Sequence, residues 1–113
     1  MIKITSSKDK ALVLECLKAA FEGPFFPDCE FGTINGGERS DVENIINRWD
    51  SIDNIEGKTE WIINNILNNF LGYPHHVDME TRNKFITISD DEIAALFKRI
   101  KPDLGKSYFD NLM

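Results

Sequence analysis

Cysteine and histidine are scarce in this chain: two cysteines, Cys16 and Cys29, and two histidines among 113 residues. Two thiols cannot build a disulfide scaffold of the kind small secreted domains use, and without an export signal they are expected to stay reduced. His75 and His76 are adjacent, so they lack the i, i+4 spacing that lets two imidazoles share a metal on one helix face. Asp78 and Glu80 follow closely, but an exposed loop explains all four residues, and neither a metal nor a cofactor is expected. Basic residues are in deficit, with thirteen against nineteen acids and a net charge of −6, which argues against direct nucleic-acid binding. No apolar run approaches the ~20 residues of a membrane span, and Met1-Ile-Lys-Ile-Thr has no signal-peptide core. The expectation is a cytoplasmic protein with no membrane association.

Catalytic and phosphate-binding motifs are missing as well. There is no Gly-x-Gly-x-x-Gly after a strand, no Walker-type loop and no Gly-x-Ser-x-Gly elbow, and Gly36-Gly37 is only a turn signal. Asp28 and Glu30, set among phenylalanines, come nearest to a carboxylate in an apolar setting. A cap, or a partner for Arg39, is the simpler role, so no enzyme is expected.

What is present is helical. With 42% hydrophobic and 28% charged residues the chain has globular composition, and 113 residues suit one domain, 1–113. Ser6 and Asp9 open a first helix over 8–22, with Leu12, Cys16, Ala19 and Ala20 on one stripe and Gly23-Pro24 as its stop. Ser40 is expected to cap a second over 41–49, where Val42, Ile45, Ile46 and Trp49 repeat at helical spacing. Thr59 opens a third over 60–71, with Trp61 counted in its wide apolar stripe and Gly72 at its end. Ser89-Asp90-Asp91-Glu92 is a full capping box for a fourth over 90–100. Ile2-Lys3-Ile4 and 84–88 have weak strand character and suggest a minor two-stranded element; 107–113 suggests a short terminal helix. The fold class is mainly α: four helices around one core, with a long aromatic loop, 24–37, whose Phe25, Phe26 and Phe31 must dock onto the body.

Asparagine is conspicuous in the third helix. Each interior Asn costs about 0.6–0.7 kcal/mol relative to Ala, so Asn64, Asn65, Asn68 and Asn69 together cost roughly 2–3 kcal/mol. No charged residue occurs from 61 to 77 to solvate that face more cheaply. An amide both donates and accepts, as the backbone of a docked irregular loop requires, so these four are read as holding the 24–37 loop.

The charge is concentrated. Residues 22–60 carry ten acids and three bases, while 1–21 are net +2 and 61–113 net −1. Asp28, Glu30, Glu38, Asp41 and Glu43 are the candidate partner-binding residues, able to steer and pair with a basic protein.

Two resemblances add to this. The segments Phe25-Phe26-Pro27-Asp28-x-Glu30-Phe31-x-Thr33 and Asn64-Asn65-x-x-Asn68-Asn69-x-Leu71-Gly72-Tyr73-Pro74-His75, with Arg39, Val42 and Trp49, resemble a family of small bacterial proteins of unassigned activity. In class, though not in motif, the chain is similar to the immunity proteins of contact-dependent growth inhibition and polymorphic toxin systems. That similarity implies an intracellular protein that blocks a cognate toxin domain, often a basic nuclease, with acidic residues. The alternative is a structural or regulatory interaction module, as a homodimer or with a housekeeping partner.

Overall fold

The computed structural model describes residues 2, 4, 6–27, 30–52, 55–72 and 77–100. Asp28, Cys29, His75, His76 and the 107–113 segment lie outside the described residues.

Helix α1, Ser7–Glu22, starts one residue before the sequence predicts. Its Ser6 hydroxyl accepts from the Asp9 N–H at 3.4 Å, and Val13, Cys16, Leu17, Ala19 and Ala20 are buried. The predicted stripe therefore lies slightly rotated: Val13 and Leu17 are core, whereas Leu12 is half-buried. Helix α3, Arg39–Arg48, starts earlier than predicted and is capped by Glu38 rather than Ser40. The reason is Asp41 at the third helical position, whose carboxylate accepts the Glu38 N–H at 2.9 Å in a reciprocal capping box. A single 3₁₀ turn, Trp49–Ser51, follows and buries Trp49, whose indole N–H donates to the Lys10 carbonyl at 3.0 Å. Helix α4, Gly57–Gly72, begins two residues before Thr59, Gly57 turning the chain at φ +65°. Helix α6, Asp90–Ile100, has the predicted bounds; the Ser89 hydroxyl accepts the Glu92 N–H at 3.2 Å.

Two helices were not legible as such. The aromatic loop contains α2, Phe31–Asn35, and Asp78 caps α5, Met79–Asn83, accepting the Thr81 N–H at 2.7 Å. Among the described residues the fold is mainly α with six helices rather than four. The two-stranded element is also corrected: Ile2 pairs with Ile55 in an isolated antiparallel bridge, its N–H reaching the Ile55 carbonyl at 3.0 Å. Residues 84–88 form no strand, and Ile86 and Ile88 are buried as irregular chain in one contiguous core.

Helix α4 lies in the middle, packed against α1, α2 and α6. Phe70 near its end meets Phe25 and Phe26 edge-on, with centroids 5.1 and 5.4 Å apart, and Phe26 meets Phe31 at 6.1 Å. These edge-to-face contacts dock Phe25, Phe26 and Phe31 onto the body, and all three are fully buried.

Candidate functional site

The acid-rich region is organised by a glycine turn between α2 and α3. Gly36 ends α2 in the left-handed conformation, φ +75°, its N–H returning to the Gly32 carbonyl at 3.0 Å. A Cβ at Gly36 would strike the Trp61 indole and lie 2.8 Å from the Asn65 amide nitrogen; one at Gly37 would lie 2.6 Å from Ile62 Cδ1. The two glycines thus let the turn sit directly on the first half of α4.

Glu38 and Asp41 follow that turn. The Glu38 carboxylate lies against Gly32 in the first turn of α2, while Asp41 accepts the Glu38 N–H and faces Lys58 Nζ at 3.4 Å. The Glu38 N–H chiefly, and Lys58 after it, hold the Asp41 carboxyl below its ordinary range. Two of the five predicted acids are therefore occupied in positioning α3. Glu43 is exposed on α3 about 160° around the axis from Asp41, and Glu30 is exposed at the start of α2. The acids are thus spread around the α2–α3 corner rather than gathered on one face.

Of the four asparagines, Asn69 donates to the Ile34 carbonyl at 2.9 Å and to Asn35 Oδ1 at 3.0 Å, tying α2 to α4. Asn65 lies against Gly36, whereas the buried Oδ1 atoms of Asn64 and Asn68 meet no hydrogen-bond donor among the described residues. Asn35, completely buried, is a partner for this amide array that the helix pattern did not single out.

Arg39, read from the sequence as a carboxylate's partner, also serves backbone carbonyls. Its guanidinium donates to the carbonyls of Ala20 at 3.3 Å, Phe21 at 2.5 Å and Phe26 at 2.9 Å, and stacks 4.5 Å over the Phe31 ring. It closes the C-terminal end of α1, where carbonyls lack helical partners, and holds the aromatic segment at once. The only sequence signal for this was one arginine shortly after a helix stop.

Trp61 departs from its predicted place in the core: it is 59% exposed, packed edgewise over Gly36. Elsewhere, Cys16 is a buried free thiol whose pKa burial pushes up to about 12, which leaves it unreactive. A groove of about 330 Å³ runs beside α1, lined by Leu14, Glu15, Lys18, Lys84 and Phe85 among others. Its Glu15 carboxylate is already bonded to the Thr87 N–H and hydroxyl, at 2.5 and 2.6 Å. Among the described residues, no three His, Cys, Asp or Glu side chains gather as a metal site, and no helix is long and apolar enough to cross a membrane.

No protein-family model, curated protein or solved structure matches the chain. What defines its class is therefore the fold and this corner: a mainly α protein with an acidic, glycine-seated turn beneath an exposed tryptophan.

Proposed function

We propose that this is a non-catalytic binding protein, an intracellular immunity protein that neutralises a cognate bacterial toxin domain of basic character, such as a nuclease. The observation that carries the reading is the setting of Trp61: a large exposed aromatic beside the stretch of chain, 22–60, whose ten acids against three bases account for the net negative charge. Acids would steer a basic partner and set its orientation, and the aromatic would supply contact area. Glu43, exposed on α3 and outside its capping box, is the acid whose change reports on binding rather than folding. The capping pair, Glu38 and Asp41, contributes field at the same corner.

Calorimetric titration with a toxin-like C-terminal domain encoded in the same locus tests this. One-to-one binding is expected, weakened by salt and by the change Glu43→Lys. No heat of binding between two folded proteins would overturn the reading. The exposed Trp61 also favours a second reading, a homodimeric interaction module, for which sedimentation would show a mass that rises with concentration.

A further inference from the structure

Trp61 and Met79 are the two large hydrophobic side chains most exposed among the described residues, at 59% and 65%. They differ in how they are held. Met79 opens a five-residue helix with no buried residue, and so has no core neighbour on its own helix to seat it. Trp61 belongs to the sixteen-residue α4, whose next residues, Ile62 and Ile63, are fully buried. Its indole edge, Nε1 and Cδ1, rests where a Cβ of Gly36 would be, and Gly36 is itself fixed by its left-handed cap and its bond to Gly32. The ring is thus seated on one edge by a turn that only glycine permits, and open elsewhere. An aromatic held this way loses little rotamer freedom when something binds it, which is the property of interface anchors.

The surroundings decide what would bind. Glu38 stands two residues beyond Gly36. Asp41 reaches Lys58, one helical turn before Trp61, across 3.4 Å. Lys58 is 65% exposed at its side chain and paired only at the surface, a contact that exchanges at little cost. The Asp41 carboxylate comes within 3.3 Å of the Cβ position at Gly37, next to the glycine on which the ring rests, so a cation at the indole face meets the ring quadrupole in the field of that carboxylate, and tryptophan is the strongest aromatic partner for one.

We propose that Trp61, seated on Gly36, is the anchor of a docking surface for a basic protein segment, receiving an arginine or lysine side chain against its indole while Glu38 and Asp41 hold the neighbouring positive charge and Lys58 swings to solvent. This rests on the basic-partner reading above and adds its contact centre: the hot spot is an aromatic of α4, and the acids of the α2–α3 corner are its rim.

Two measurements separate the anchor from the reading it rests on. In the first, hexa-arginine peptide is titrated into the isotope-labelled protein while the two indole N–H resonances are followed, Trp61 being identified by its loss in Trp61→Phe. A saturable shift of the Trp61 resonance is expected, leaving buried Trp49 unmoved, suppressed by high salt and absent with hexa-glutamate. An unmoved Trp61, or an equal response to both peptides, overturns the anchor. In the second, Trp61→Ala is titrated against the toxin-like domain, with an affinity loss of roughly tenfold or more expected. Undiminished binding overturns the anchor and leaves the toxin reading standing. A response to hexa-arginine with no binding of the toxin-like domain by the wild-type chain supports the anchor and overturns the toxin. A concentration-dependent dimer that Trp61→Ala abolishes would make a second copy of the chain the occupant and overturn the basic segment.

Discussion

Arg39 shows how much one side chain can hold. Its planar guanidinium serves three carbonyls from two segments and covers an aromatic ring in the same plane. Lysine keeps the charge but has neither the fork nor the flat face. Arg39→Lys is therefore expected to destabilise the protein by about 1.5–3 kcal/mol, the range for hydrogen bonds to a charged donor, as read by urea denaturation. A change within experimental error would mean that the carbonyls of Ala20, Phe21 and Phe26 find water equally well. The asparagines of α4 give the complementary lesson. Four residues of one type in one helix suggested one duty, yet only the contacts of the folded chain distinguish Asn69, which bonds α2, from Asn64 and Asn68, whose buried oxygens have no donor among the described residues.

At the scale of the element, helix caps link stability to pH. Asp41 caps α3 and Asp78 caps α5, and backbone N–H groups, of Glu38 and Thr81 respectively, are the first cause holding each carboxyl below its ordinary range. In the unfolded chain both take up protons at the ordinary carboxylate pKa, about 3.9. Their stabilisation is present above that value and is lost as the pH falls through it toward the lower folded pKa. Melting temperature should drop steeply below about pH 4 on this account. Asp41→Asn should lower it at neutral pH and flatten part of the acid decline; an unchanged slope would show that the cap contributes nothing through its charge. Helices α1, α3, α4 and α6 were legible because each is at least ten residues long, with a periodic stripe or a cap. Helices α2 and α5 have five residues each, little more than one turn, too short for any period to show.

For the molecule as a whole, the core and the candidate face make opposite demands. Phe70 joins α4 to Phe25 and Phe26, so Phe70→Ala should cost about 3–5 kcal/mol. That is about a fifth or more of the ~5–15 kcal/mol that holds a typical domain folded. Trp61→Ala, by contrast, should change stability by only about 0.5 kcal/mol, because most of its surface is already in water. Denaturation of the two variants side by side checks this, and equal losses would return Trp61 to the core. The contrast matters for function: an aromatic that the fold scarcely needs is available for a partner.

The sequence by itself determined the helical class, the four longer helices to within a few residues, the burial of Phe25, Phe26 and Phe31, and the concentration of negative charge in 22–60. All of these depend on spacing, capping chemistry or composition, which are properties of neighbouring residues. Tertiary structure alone decided that Ile2 would pair with Ile55, that Arg39 would clamp the carbonyls of Ala20, Phe21 and Phe26, and that Glu38 and Asp41 would spend their charge on a cap. It also decided that Trp61 would lie outside. On α4 the apolar stripe is wider than the surface its neighbours cover, and which edge residue stays in water depends on where α2 ends. That end is set by Gly36, twenty-five positions away in the chain, and no periodicity within α4 carries it.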